Sequence, residues 1–248
     1  MQDIISQIRD FEKKHPQFAV AYGGDGTVLE CVEKTHGKKV IFPFRNYALC
    51  KKHEHCLEDF LAGKDGPVLK QTQCFLLKYD LKTENAVSKS SDTGIAEVVL
   101  KSANATEALR FNVHINGKLA LMNVIADGVV IASRYGSTGY FKSLTRTMFT
   151  SDALGVAFIA PSQNVSNLVL DCTSRVRLEL LRDADVNICV DKMQQSLKLS
   201  KSDSMQVVQL QEAVAMFGLD EFHCYECRKL RHSVVEAGVD LQDQYLIG

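Results

Sequence analysis

The chain has 248 residues, 46% of them hydrophobic and 24% charged, with a formal net charge of −1. That length holds one large or two small domains with an ample core, and the near-zero charge excludes a global basic field for nucleic acid or an anionic membrane. No apolar run approaches the ~20 residues of a membrane span, the first residues lack the basic start and apolar core of a signal peptide, and eight scattered cysteines fit reduced thiols. A soluble cytoplasmic protein is therefore expected, without nucleic-acid or membrane partners.

Residues 3–14 place Ile4, Ile5, Ile8 and Phe11 on one helical face, and Pro16 stops that helix. A short strand follows over residues 18–22, and then the stretch Gly23-Gly24-Asp25-Gly26-Thr27. Apolar positions recur at helical spacing over residues 28–34. The local reading is strand, glycine turn, helix. Glycines allow positive φ and close backbone approach to a ligand, and a helix start presents free N–H groups that suit phosphate. Asp25 is the odd member, because a carboxylate repels phosphate; it points instead to a hydroxyl or a metal ion. A plain turn with a helix cap is the alternative reading of the same residues.

Residues 38–44 read as a second strand, and Arg45 beyond it is either a phosphate or carboxylate clamp or a surface arginine. Cys50, His53, His55 and Cys56 lie within seven residues, and Cys224 and Cys227 form a lone C-x-x-C. These groups suit either a shared zinc ion or partly buried thiols with solvated histidines. Residues 57–61 complete a helix, and residues 63–67 break it. From there the character turns to β. Residues 68–81, 95–102, 111–115 and 124–133 read as strands, with Asn116-Gly117 as a two-residue hairpin turn. Residues 84–92 are polar and read as a loop. Strands continue to residue 199, with turn signals at 171–174 and 182–185, and residues 221–235 read as helical. The expected organisation is an α/β domain over residues 1–66, a β domain over 67–210, and a helical tail over 211–248 packing back on the first domain.

Three blocks carry a family resemblance. Residues 23–27 resemble the GGDGT motif of the NAD kinase family, whose superfamily includes diacylglycerol and sphingosine kinases. The segment from Ala126-Asp127-Gly128 through Arg134-Tyr135-Gly136-Ser137-Thr138-Gly139-Tyr140 resembles the family's "ADG, apolar run, TPTGSTAY" segment. The stretch from Ile159-Ala160-Pro161 to Leu170 resembles its Pro-His-Ser-Leu…Arg-Pro-Leu-Val-Leu stretch. The blocks stand in the family's order and span roughly residues 18 to 200. The resemblance implies a small doubly wound α/β domain followed by a β-sandwich-like domain, and an ATP-dependent phosphorylation of the adenosine ribose 2′-hydroxyl of NAD to give NADP. ATP would be the donor, with Mg²⁺ or another divalent cation, and no metal ligand is assigned to the chain itself. A homo-oligomer, dimer or tetramer, is implied as well.

Residue by residue, the resemblance makes Asp25 the acceptor of the hydroxyl proton and makes Gly23, Gly24, Gly26 and Thr27 the phosphate cradle; Arg45 and Asn46, in a loop that departs from the family's Gly-x-Asn pattern, are further nucleotide-binding candidates. There is no G-x-x-x-x-G-K-[ST] loop, so the cradle must come from backbone amides. Phosphoryl transfer is mostly positioning and charge stabilisation, which such a cradle supplies. Asp127, Gly136, Ser137, Thr138 and Tyr140 would bind the dinucleotide. Glu97 matches the Glu of the family's Asn-Glu pair, while Ala96 replaces the Asn. Asp191, before Lys192, resembles the family's Asp-Gly-Gln turn and would reach the site. A catalytically weak NAD/ATP-binding protein and a kinase on another hydroxyl are the alternatives.

Overall fold

The computed structural model describes residues 2–45, 57–63, 70–83, 86–219 and 223. The expectations for Asn46, for Cys50, His53, His55 and Cys56, for Cys224 and Cys227, and for a helix over 221–235 lie outside the described residues. The chain divides into two units: Met1–Gln73 with Ala215–Gly248, and Cys74–Val214. Among the described residues no helix is long and apolar enough to cross a membrane.

The first unit is α/β. Its elements are α1 (Gln2–Lys14), β1 (Phe18–Tyr22), α2 (Asp25–Thr35), β2 (Val40–Phe44) and α3 (Leu57–Leu61). β1 and β2 run parallel, in register from Phe18 opposite Val40 to Tyr22 opposite Phe44. Parallel neighbours need a crossover, and α2 supplies it. That helix ends where His36 takes a left-handed conformation and Gly37 follows at φ 65°, their N–H groups closing on the carbonyls of Glu33 and Val32. Such a cap satisfies carbonyls that have no partner inside the helix. With no tryptophan in the chain, phenylalanines fill the core. Ile4, Val20, Phe42, Phe44 and Leu57 are buried, with Phe11, Phe18, Phe60 and Phe217 packed around them. The rings of Phe42 and Phe60 lie 4.7 Å apart, and those of Phe42 and Phe217 lie 5.4 Å apart.

The second unit is almost all β. In chain order it contains most of β3 (Gln71–Thr83), then β4 (Ala86–Gly94), β5 (Glu97–Ser102), β6 (Leu109–Ile115), β7 (Lys118–Ala126) and β8 (Gly128–Ala132). A 3₁₀ turn over Gly136–Thr138 and the short helix α4 (Tyr140–Thr145) follow. The remaining strands are β9 (Ala153–Ile159), β10 (Leu168–Asp171), β11 (Arg175–Leu180), β12 (Ala184–Val190), β13 (Met193–Leu199) and β14 (Ser204–Phe217). Six strands form one antiparallel sheet in the order β10-β9-β8-β5-β12-β13. A second sheet contains the run β14-β11-β6-β7, with β3 paired to β14 and to β4. Inner faces of both sheets share one core, including Leu100, Phe111, Ile131, Phe158, Leu178 and Ile188. Alternation of buried and exposed residues along β6 and β11 records that packing.

Three details depart from the sequence expectations. The polar stretch read as a loop over 84–92 contains most of β4, which among the described residues pairs only with β3. An edge strand is held by backbone bonds with one side in water, so it needs no apolar alternation. Residues 124–133 are not one strand. They end β7 and form β8, which lie in different sheets, and the corner between them is Asp127. The strands do not end at residue 199: the last runs from Ser204 to Phe217, and Met216 pairs parallel with Ile41. Residues 136–140 form a 3₁₀ turn leading directly into α4.

Candidate functional site

In the first unit, β1 ends at Tyr22 and Gly23 stays tied to the sheet, its N–H donating to the Phe44 carbonyl at 2.8 Å. Gly24 is the N-cap of α2, and its carbonyl accepts from the N–H groups of Thr27 and Val28 at 3.0 and 3.3 Å. None of Gly23, Gly24 and Gly26 takes a positive φ; the described glycines that do are Gly37, Gly63, Gly117 and Gly218. Within the protein itself, only Gly23 needs glycine for space. A Cβ on Gly23 would fall on the Thr27 side chain, one on Gly24 would lie 3.7 Å from the Arg45 guanidinium, and one on Gly26 would meet nothing within 4 Å. The open space over Gly26, at a helix start with unpaired N–H groups, fits an approaching phosphate.

Asp25 is the first residue of that helix, and its side chain is 58% exposed. One nitrogen of Arg45, Nη2, lies 3.2 Å from both carboxylate oxygens. His223 Nε2 lies 3.2 Å from Oδ1. Burial works to raise the carboxyl, but the His223 hydrogen bond and the Arg45 charge outweigh it and bring it down to about 2. Asp25 is thus a carboxylate at neutral pH, fixed from two sides, with its free surface open to a hydroxyl. Arg45 acts as a carboxylate clamp here. His223 was not visible in the sequence: it belongs to no motif, and 198 positions separate it from Asp25. Only the fold brings them together.

In the second unit the other candidates gather around the start of β5. The Glu97 carboxylate accepts the Tyr140 N–H, and its Oε2 is buried with no hydrogen-bond partner among the described residues. Burial first, then the charge of Asp191, pushes Glu97 up to about 7. The Tyr140 phenol is also raised, by burial and then by the charges of Glu97 and Asp127, which places these three side chains in one neighbourhood. Asp127 is pinned by its backbone, the N–H donating to the Ile159 carbonyl and the carbonyl accepting from Ser102. Ala96, in place of the family's Asn, is buried and presents no side-chain hydrogen-bonding group.

The turn residues divide by role. Ser137 is fully buried, and its hydroxyl donates to the carbonyls of Arg134 and Phe149 at 2.8 and 3.1 Å. Thr138 Oγ1 donates to the Tyr135 carbonyl at 3.2 Å. Both hydroxyls therefore hold the turn itself. Gly136 packs on the β5 lead-in, where a Cβ would fall on the Ala96 carbonyl oxygen. Asp191 accepts from the N–H groups of Ile95, Ala96 and Glu97 at 2.8, 2.9 and 3.0 Å, so those contacts are made to the chain's own backbone. Among the described residues no three His, Cys, Asp or Glu side chains gather to hold an ion. Asp25 is already met by Arg45 and His223, and the divalent cation implied by the resemblance finds no protein cage among the described residues.

An α/β unit with a glycine-rich strand-to-helix turn, carried in one chain with a β-rich unit, is the fold class of the solved NAD and NADH kinases. The yeast NADH kinase complexed with NADH superposes with a TM-score of 0.68 at 21% identity, covering 81% of this chain and 61% of that one. An NAD kinase from Archaeoglobus fulgidus in complex with ATP gives 0.65 at 15% identity, over 88% and 91%. Residues 95–217 match the family model of the ATP-NAD kinase C-terminal domain. The chain belongs to the NAD kinase family. Among sequence relatives, it is 25% identical over 184 residues to a bifunctional NADP phosphatase/NAD kinase of Methanocaldococcus jannaschii, covering 69% of this chain and 31% of that protein. It is 28% identical over 137 residues to an NAD kinase of Colwellia psychrerythraea, covering 54% and 45%. The chain thus spans less than half the length of either relative.

Proposed function

We propose that this chain transfers the γ-phosphoryl group of ATP to the adenosine ribose 2′-hydroxyl of NAD, forming NADP and ADP. The observation that carries the reading is the Asp25 carboxylate, held ionised at a helix start beside amides with open space over Gly26. The family match, the Colwellia NAD kinase and the ATP-bound Archaeoglobus structure support it. Asp25 accepts a hydrogen bond from the hydroxyl and takes its proton late, as suits a loose transition state. The ribose oxygen bonds to the γ-phosphorus, and the bridging bond to the β-phosphate oxygen breaks. With the Gly23 and Thr27 N–H groups bonded to the carbonyls of Phe44 and Gly24, the amides of residues 24–26 are the ones that face the phosphates. Glu97, Asp127 and Tyr140 offer the polar groups of the second unit to the dinucleotide. A divalent cation, when bound, would neutralise triphosphate charge. The reading includes NAD rather than NADH as acceptor, a homo-oligomer, and a cytoplasmic setting.

The test is NADP formation by purified protein with ATP, Mg²⁺ and NAD, with donor and acceptor varied. Asp25→Ala should abolish turnover while sparing NAD affinity; an undiminished rate removes the assigned role. The buried Ala96 favours a second reading, a nucleotide-binding protein with little turnover. Calorimetric binding of NAD or ATP without product would select it.

A further inference from the structure

Asp191 sits at the two-residue turn between β12 and β13 in a left-handed conformation, φ 52°. Its carboxylate does not point into solvent. It lies over the backbone that leads into β5 and collects three consecutive N–H groups, from Ile95, Ala96 and Glu97. Its own N–H returns a bond to the Glu97 carbonyl at 3.0 Å. Charge-assisted bonds of this kind are stronger than neutral ones, and three on one carboxylate fix a backbone segment firmly. The space for the carboxylate exists because residue 94 is glycine: a Cβ there would lie 2.6 to 2.7 Å from the carboxyl atoms of Asp191. The opposite side of the same segment is also gripped. Ser133 N–H donates to the Ala96 carbonyl at 2.9 Å, Ser133 Oγ bonds the Ile95 carbonyl, and Gly136 packs on Ala96. The residue this vice presents is Glu97, whose Oε2 is buried with no hydrogen-bond partner among the described residues.

We propose that Asp191 is a positioning residue, acting on the dinucleotide through Glu97 by fixing the backbone that carries the Glu97 carboxyl, rather than by contacting substrate. This rests on the assignment of Glu97 to NAD binding made above. The negative charge of Asp191 also reaches the Glu97 carboxyl, which burial already raises to about 7. Asp191 therefore sets both the place of that carboxyl and the pH at which it ionises. Gly94, Asp191 and Glu97 form one device spread over three chain segments.

The variants are Asp191→Asn, Glu97→Gln, the double variant, and Gly94→Ala, which displaces the carboxylate from the other side. Calorimetric titration with NAD is expected to show about a tenfold loss for Asp191→Asn, the size of one lost polar contact, and no further loss when Glu97→Gln is already present. Gly94→Ala is expected to match Asp191→Asn. ATP affinity should stay unchanged in all four. In ¹³C NMR the Glu97 carboxyl of Asp191→Asn should titrate below its wild-type midpoint, and hydrogen exchange at the Ile95, Ala96 and Glu97 amides should quicken. A full loss from Asp191→Asn on top of Glu97→Gln, or no loss in either background, overturns the proposal. So do an unmoved Glu97 titration and unmoved amide exchange. If the wild-type protein binds no NAD, the functional reading fails and takes the substrate role of Asp191 with it. The NMR and exchange data then still show whether Asp191 holds Glu97.

Discussion

Asp25 and Glu97 are both carboxylates at candidate positions, yet their surroundings drive them in opposite directions. Asp25 is lowered to about 2 against its own partial burial, by the His223 hydrogen bond and the Arg45 charge. It holds one charge across the whole neutral range, so no acid limb in a rate profile above about pH 4 should come from it. Glu97 is raised to about 7 by burial and then by Asp191. The folded state therefore binds this proton more readily than the unfolded chain. Its stabilising contribution is complete below the ordinary value of 4.5 and is lost as pH rises through about 7. Urea denaturation at pH 5 and pH 8 should show wild type losing more stability on that rise than Glu97→Gln does, by an amount on the order of 3 kcal/mol at most. Equal losses in both proteins would place the Glu97 proton elsewhere. The residue types at these positions were legible, because the GGDGT block and the family's Asn-Glu pair name them. The partners that tune them were not. His223 itself belongs to no motif, and Asp191, whose turn resembles one that reaches the site, spends its oxygens on three backbone N–H groups.

At the scale of elements, glycines that look alike in sequence do opposite work. Gly136 sits where an added Cβ falls on the Ala96 backbone, and neither strand lead-in nor 3₁₀ turn has room to give. Gly136→Ala should therefore destabilise by about 1–3 kcal/mol, read as a lowered midpoint in thermal denaturation. Gly26 lies inside the first turn of α2, and its Cβ position is open. Alanine favours a helix over glycine by roughly 0.5–1 kcal/mol, so Gly26→Ala should raise the midpoint. If phosphate occupies that space, the same variant should lower kcat/KM for ATP at least several-fold while it stabilises the fold. A Gly26→Ala protein that is both more stable and equally active would empty the cradle of its assigned ligand. Patterning revealed most elements here: β1 matches its expected span, and the Asn116-Gly117 hairpin forms with both residues at positive φ. What patterning missed follows from physics it does not encode. β4 is polar because it lies at an edge, and the corner at Asp127 passes the chain between sheets without a break in apolar character.

Across the whole molecule the two units differ in how much apolar surface protects their backbone bonds. Every residue of β8 and β9 is buried, and both lie inside a six-stranded sheet packed on a large shared core. In the first unit the buried core is Ile4, Val20, Phe42, Phe44 and Leu57, ringed by half-buried phenylalanines. Local opening follows such differences in burial. Native-state hydrogen exchange should find the amides of β5, β8 and β9 slowest, and those of β1 and α2 markedly faster. This ordering makes the exchange map a functional probe as well, because ligands protect the regions that they contact, and protection is easiest to see where the baseline is fast. Saturating ATP should slow exchange over residues 23–35 and leave β8 and β9 unchanged, since those are already at the protected limit. Saturating NAD should slow the segments around residues 95–97 and 136–140. The proposed reading pairs ligand with unit: amides for the transferred phosphate and a carboxylate for the hydroxyl in the first, and Glu97, Asp127 and Tyr140 for the dinucleotide in the second. ATP protection confined to residues 95–97 and 136–140, with the α2 start unaffected, would reverse the assignment and leave the amides beside Asp25 without their phosphate.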